Sequence, residues 1–423
     1  MKKIVFAVLV ISALFGVLFW RFSGMLLQKE EGEDKNISLN YWGLGEDEAP
    51  FRPIIGSYQL QNPKVKITFA RQSLLNYRTR LLTQLQAGQG PDIFLIHSSW
   101  LPMFSEDLSP APGEILSTDE YTKLFYQIAK ETLINGGKIY AVPKEIDGLA
   151  LLYNEDILKA AGATVPVTWQ EFLDVARRVT VKNTAGQIQT AGAAMGATAN
   201  VDFWPEILAL LFLQQPDGNL TEPANQSGSE VLQFYAGFVT DPKNKTWDVT
   251  LPSSSQMFSS GKLAFYFATA AKAASLKVEN PNLNFKTAPV PQLPGGKISY
   301  GGFWAIAVSA RSQNQKKAWE FVKYLSTPEV IQARSTTLPY PRQDMAGLQV
   351  GDPILGAYIS QAAYFKGWYL NSDARDAGIN DEMVKLYEGA LNSVLQGGDS
   401  RGALQAIQPG IGQILDKYQA SKK

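Results

Sequence analysis

The chain has 423 residues, with 39 Lys+Arg balanced by 39 Asp+Glu, so its formal net charge is zero. With 45% hydrophobic residues, that length makes a globular chain of several domains at roughly 100–200 residues each, and it offers no broad basic field for nucleic acid or anionic lipid. Cys is 0 and His is 1. This excludes disulfides, thiolate nucleophiles, thiolate metal sites, a lipid-modified cysteine and any site needing two His ligands.

Lys2 and Lys3 precede an uncharged run from Ile4 to Trp20, about 25 Å long as a helix. Phe22 to Leu27 extend the apolar length, so residues 4–27 read as a transmembrane anchor or an uncleaved signal. Phe22-Ser23-Gly24 is a poor small-x-small cleavage site, which favours a retained anchor. The two lysines place residues 1–3 on the cytoplasmic side. Residues 28–36, rich in Glu and Asp, read as a solvated tether.

Ile37 to Tyr41 alternates as a strand, and Val65, Ile67 and Phe69 do the same. Leu74, Leu75, Tyr77, Leu81, Leu82 and Leu85 recur at helical spacing, with Gly88 as a stop. Asp92 to Ile96 is a continuous apolar strand. Strand, helix and strand make a βαβ unit and a parallel sheet, in which ligands bind beyond the C-terminal strand ends. Those ends carry Trp42, Arg71-Gln72 and His97-Ser98-Ser99-Trp100. Ser117 to Glu120 and Thr168 to Glu171 match the capping box, and Thr327-Pro328 places a cap residue before Pro at a first helical position. Ala318, Phe321, Val322 and Leu325 form a buried helical stripe.

Several segments together resemble the extracellular solute-binding proteins of ABC importers, family 1, the maltose type. They are Ala87-Gly88 with Gly90-Pro91-Asp92-Ile93; Gly137-Lys138-Ile139-Tyr140-Ala141-Val142-Pro143 followed by Leu152-Tyr153-Asn154; and Ala160-Ala161-Gly162 with Pro166 and Thr168-Trp169-Gln170-Glu171-Phe172. Phe258 to Ala264, Ala288 to Pro291 with Gly301-Gly302, and Gly397 to Leu404 complete the order. One departure is Phe267-Ala268-Thr269-Ala270-Ala271, where many members carry Gly and Trp. The resemblance implies an α/β, two-lobed periplasmic-binding-protein fold of type II, each lobe a mixed sheet flanked by helices, here preceded by the N-terminal transmembrane helix. Lobe one is expected at 37–146 and 288–330, and lobe two at 147–287 and 331–423. It further implies a binding protein, not an enzyme, without cofactor. It would be a monomer, extracytoplasmic and membrane-anchored, that delivers its solute to the transmembrane subunits of an ABC permease. The missing lipid-bearing cysteine agrees with a helical anchor.

A sugar offers an apolar face and a rim of hydroxyls, which aromatic rings and fixed polar groups match. The residues expected at such a site are Trp42, Gln72, Ser98, Ser99 and Asp147, then Trp204, Phe303, Trp304, Tyr340, Arg342 and Trp368. His97 reads more readily as a half-buried structural residue. Asp147, in the hinge, would be satisfied by solute hydroxyls or by a salt bridge to Lys144 or Arg342. Trp169, Trp319 and Trp20 sit at capping, core and anchor positions. A glycoside hydrolase would need paired carboxylates, and no spacing argues for such a pair. A ligand sensor or a non-sugar solute in the same fold are the remaining alternatives, with metal disfavoured by the single His.

Overall fold

The computed structural model describes residues 36–420 apart from 46, 335–336 and 376–377. The anchor and tether expectations lie outside these residues. Among the described residues no helix is long and apolar enough to cross a membrane.

The first sheet starts with β1 (Ile37–Leu44) and β2 (Val65–Gln72), parallel and in register from Ile37 opposite Val65 to Leu44 opposite Gln72. Alternation decides which way β1 faces. Leu39 and Tyr41 are fully buried while Ser38 and Asn40 are exposed. Tyr41 meets Phe51, Phe69 and Phe321 edge-on. Next to β1 lies β3 (Ile93–His97), also parallel and buried on both faces. The sheet is completed by β4 (Ala141–Pro143) and by β10 (Trp304–Val308), which runs antiparallel between β3 and β4. Helix α1 (Phe51–Gln61) joins β1 to β2, and α2 (Tyr77–Gln86) joins β2 to β3.

The α2 stripe is shorter than its periodicity predicts. Tyr77, Leu81 and Leu85 are buried, but Leu74 and Leu75 are exposed. Asn76 adopts a left-handed φ of 54° and turns the chain before the helix begins. The Arg80 guanidinium donates to the carbonyls of Ser73 and Leu75 and holds that turn. Gly88 closes the helix at φ 69°, where a side chain would be strained.

The second sheet holds β5 (Ala150–Asn154), β6 (Val181–Lys182), β7 (Ile188–Ala193), β8 (Leu263–Ala268) and β9 (Phe285–Ala288), in the spatial order β9-β5-β8-β7-β6. Its helices include α3 (Trp169–Val179), α4 (Trp204–Gln214), α5 (Ala270–Glu279), α6 (Ile379–Leu395) and α7 (Ser400–Lys417). The Thr168 capping box is complete, with Thr168 Oγ1 accepting from Glu171 N and the Glu171 carboxylate accepting from the Thr168 amide. Ser117 Oγ accepts from Glu120 N. Thr327 uses its hydroxyl differently, donating to the Tyr324 carbonyl at 3.0 Å.

Each sheet has its own hydrophobic core. One is built from residues of 39–146 and 303–330, joined by Ile359, Ala362, Phe365 and Ala374. The other is built from 149–300 and 355–420. The chain passes between the two cores at 146–149 and again at 300–303. These passages run antiparallel and bond to each other: Leu149 N donates to Tyr300 O at 2.8 Å and Gly302 N to Asp147 O at 3.1 Å. They touch at the Gly148–Gly301 bridge. A Cβ on Gly148 would stand 2.3 Å from the Tyr300 carbonyl, and one on Gly301 2.8 Å from the Phe365 Cβ. Glycine is needed here because two backbones share the space of one. A third segment joins when Ile146 N donates to Pro339 O at 3.2 Å.

Candidate functional site

In the first sheet, the C-terminal ends of β1, β2 and β3 point the same way as the N-terminal end of β10, toward the crossings. His97 on β3 stands opposite Trp304 on β10. The Trp304 ring is half-buried and packs edge-on against His97 at 5.5 Å and against Trp100 at 5.2 Å. Ser98 is tied to Phe303 in both directions, its amide to the Phe303 carbonyl at 2.8 Å and its hydroxyl to the Phe303 amide at 3.3 Å. Ser98, Ser99, Phe303 and Trp304, expected as separate contacts, thus form one wall. Phe303 and Trp100 are core residues of that wall.

Trp42 and Gln72 stand further along the same sheet edge. Trp42 pairs in register with Ala70 on one side and Phe94 on the other, and its ring is half-buried. Gln72 is half-buried at the end of β2, and its carbonyl accepts from Gly45 N at 2.9 Å. Beside it Arg71 pairs with Asp47 at the surface.

Asp147 satisfies its carboxylate differently from either expectation. It accepts from Gly148 N at 2.7 Å, Ala270 N at 2.7 Å and Ala271 N at 3.1 Å. It sits on the N-terminus of α5, where unpaired amides and the helix dipole favour a negative group. Burial, resisted by these three amides and helped by Glu145, pushes its pKa up to about 7. The segment that replaces the expected Gly and Trp therefore has its own work, with Thr269 capping α5. Lys144 and Arg342, the other expected partners, are engaged elsewhere. Lys144 Nζ lies 3.0 Å from Glu145 Oε2, both buried. Arg342 pairs with Asp344 and donates to the Ser326 carbonyl at 3.1 Å. Arg342 faces the Phe125 side of the first lobe through an isolated bridge.

Tyr340 is buried with Ile331 and Met345. It borders a small cavity of about 150 Å³ beside Phe51, Glu145 and Arg334, below the roughly 300–1,000 Å³ usual for a small-molecule site.

On the second lobe, Trp204 differs from its expectation as a contact residue. It is 3% exposed and sealed in the core at the first position of α4. Two residues on, Glu206 is also buried and accepts from the amide and hydroxyl of Ser372. Burial first, then nearby Asp373, pushes Glu206 up to about 8. The Ser372 hydroxyl also lies 3.1 Å from the Asp202 carbonyl. These bonds fix the segment from Trp368 to Ala374. Tyr300 holds it too, its hydroxyl reaching Trp368 O at 2.7 Å and Leu370 O at 2.6 Å. Trp368 packs on Tyr369 and Tyr387, and its buried indole N–H has no acceptor among the described residues.

The lobes meet across this site. Ser99 Oγ donates to Asn380 Oδ1 at 3.1 Å, and Ile379 N lies 3.4 Å from Met103 Sδ. Asn371 and Asn380, both buried, stand beside this junction, and the sequence reading names neither. Asn371 falls in the polar turn Asn371-Ser372-Asp373 after an aromatic cluster, which is its one local signal. No group of three or more His, Cys, Asp or Glu placed to hold a metal ion occurs among the described residues.

The family model described as bacterial extracellular solute-binding protein matches residues 42–332. The chain belongs to that family. This solute-binding protein is 25% identical over 301 residues to the maltotriose-binding protein of Pyrococcus abyssi, covering 69% of the chain and 62% of that relative. It is 26% identical over 280 residues to the diacetylchitobiose binding protein of Streptomyces coelicolor, covering 62% of each. The chain thus spans about six tenths of the length of these curated relatives. In three dimensions it is similar to the sugar-binding protein MalE from Xanthomonas citri, with TM-score 0.75, 21% identity, and 90% and 98% of the two chains covered. That likeness shows the fold: two α/β lobes of the periplasmic-binding type. Its family is one of binding proteins rather than enzymes.

Proposed function

We propose that the protein captures a neutral carbohydrate between its lobes and delivers it to the transmembrane subunits of an ABC permease. The lobes are residues 37–146 with 301–330, and 147–300 with 331–420, the stretch 288–300 going with lobe two because Val290 and Tyr300 pack in its core. The observation that carries the reading is the make-up of the wall at the crossings. There the half-buried Trp304 indole stands beside Ser99 and an imidazole, and buried amides face them from the other lobe. Rings for a sugar's C–H face and fixed polar groups for its hydroxyls are what such a solute needs. The names of the relatives, maltotriose- and diacetylchitobiose-binding, point the same way.

In this reading Trp42, Gln72, Ser99 and Trp304 contact the solute from lobe one and Trp368 backs it from lobe two. Asp147 positions the hinge. Ser98, Phe303, Trp204, Tyr340 and Arg342 shape the walls through packing and internal bonds. The protein acts as a monomer outside the cytoplasm, with residues 4–27 as its anchor. Binding to one lobe and closure about Gly148 and Gly301 stabilise the closed population. A thermal-shift screen against mono- and oligosaccharides tests this. A ligand at 100 times its dissociation constant stabilises by about 2.7 kcal/mol, so one sugar should raise the melting temperature by several degrees. A panel of neutral sugars without any shift would overturn the reading.

A further inference from the structure

We propose that Glu145 is a positioning residue for the solute wall, whose carboxylate holds the Trp304 backbone and so sets the direction of the indole that meets the solute. The proposal deepens the carbohydrate reading and rests on it. The strand ladder is interrupted at this point. Ala305 stands opposite Pro143 and Ile306 opposite Val142, so Trp304 falls opposite Lys144. In an antiparallel ladder, facing residues exchange both backbone bonds at every second pair. Pro143 has no N–H to give, and the next pair, Lys144 with Trp304, is due for the exchange. Only half of it occurs. Lys144 N donates to the Trp304 carbonyl at 2.9 Å. The Lys144 carbonyl accepts instead from the Arg334 guanidinium, and the Trp304 amide donates to Glu145 Oε1 at 3.1 Å. A side chain has taken the place of the neighbouring strand. On the β3 side the bonding falls one residue earlier, between Ser98 and Phe303. Both backbone groups of Trp304 therefore rest on residues 144 and 145.

Glu145 is suited to this position by its surroundings. It is 6% exposed and Lys144 is 7% exposed. A buried carboxylate is costly unless it is both paired and hydrogen-bonded. Glu145 meets both conditions, with Oε1 on the Trp304 amide and Oε2 3.0 Å from Lys144 Nζ. Its place in the chain gives the bond its role. Glu145 is the last residue before the first crossing, and Trp304 is the first after the second. Their bond joins the lobe-one ends of both crossings. Rotation about Gly148 and Gly301 then leaves Trp304 fixed to lobe one, its ring packed edge-on against Trp100 at 5.2 Å. A ring that is already set loses less freedom when solute binds.

Two variants of the full chain isolate the acceptor. Lys144→Met with Glu145→Leu removes both charges together and leaves the Trp304 amide without a partner. Lys144→Met with Glu145→Gln removes the same charges and restores one neutral acceptor. Maltotriose, diacetylchitobiose and a panel of neutral oligosaccharides serve as probes, first by melting temperature and then by calorimetry. The Leu variant should bind a stabilising sugar about tenfold more weakly than the parent, and the Gln variant within about twofold of it. Adding Trp304→Ala to each should erase the difference between them, because Glu145 acts only through that ring. Equal affinity in the Leu and Gln variants, or a difference that survives Trp304→Ala, would overturn the proposal while the carbohydrate reading stands. If the Leu variant does not fold, ¹⁵N-tryptophan labelling of the parent reads the bond itself. The Trp304 backbone amide, assigned by its loss in Trp304→Phe, should be protected from hydrogen exchange; exchange as fast as an exposed amide would also overturn the proposal. If no sugar stabilises the protein, the carbohydrate reading falls and takes the proposal with it.

Discussion

Glu206 is a buried carboxyl whose cost can be read from stability against pH. It is 1% exposed, and the hydrogen bonds from Ser372 only partly offset burial and the field of Asp373. It titrates near 8 in the folded protein, against 4.5 for an ordinary glutamate such as the unfolded chain exposes. Between these values the folded form holds a proton that the unfolded form has released. Stability from this group is therefore complete below pH 4.5 and is lost as pH rises through 8. At about 1.4 kcal/mol per pH unit, the loss is roughly 3–5 kcal/mol across the window. Glu206→Gln is close in shape and keeps one acceptor for the Ser372 amide, and the Ser372 hydroxyl can turn to accept from the new amide. The variant should be within about 1 kcal/mol of the parent at pH 5 and more stable by roughly 2–4 kcal/mol at pH 9. Urea unfolding of both proteins at the two pH values measures this. A stability difference that does not change between pH 5 and pH 9 would refute the buried-carboxyl argument.

Other substitutions separate packing from binding. Trp204→Ala removes a sealed core indole and should cost about 3–5 kcal/mol in thermal or urea unfolding; a loss under 1 kcal/mol would return Trp204 to the solute. Trp304→Ala should weaken sugar binding at least tenfold by calorimetry, because its half-buried ring is the aromatic face of the lobe-one wall. Gly148→Ala drives a Cβ to 2.3 Å from the Tyr300 carbonyl, so unfolding should begin at lower denaturant and sugar-dependent closure should be impaired. Arg342→Ala should leave sugar affinity unchanged within twofold, since its guanidinium is held by Asp344 and Ser326.

Local patterns in the sequence are sufficient where neighbours in sequence are also neighbours in space. The alternation of β1, the apolar run of β3 and the capping box at Thr168 need no distant information. The exposure of Leu74 and Leu75 escapes the same logic because one residue, Asn76, breaks the helix phase that their spacing implies. The site is legible as a set of strand ends but not as a set of roles. Trp42, Trp204 and Trp304 are the same side chain, and only the surrounding core decides that one is sealed and the others are not. Asp147 meets Ala270 across 123 residues of sequence, and Ser99 meets Asn380 across 281. Neither pairing leaves a periodic trace.

The central claim is capture by closure, and the absence of native cysteine makes it measurable. Leu60 on α1 and Val278 on α5 are 86% and 82% exposed on different lobes. A Leu60→Cys, Val278→Cys protein carries two dyes at unique sites. Single-molecule energy transfer between them should show open and closed populations, with a sugar that raises the melting temperature shifting molecules to one closed distance along its binding curve. An unchanged distance distribution at saturation by such a sugar would contradict the account.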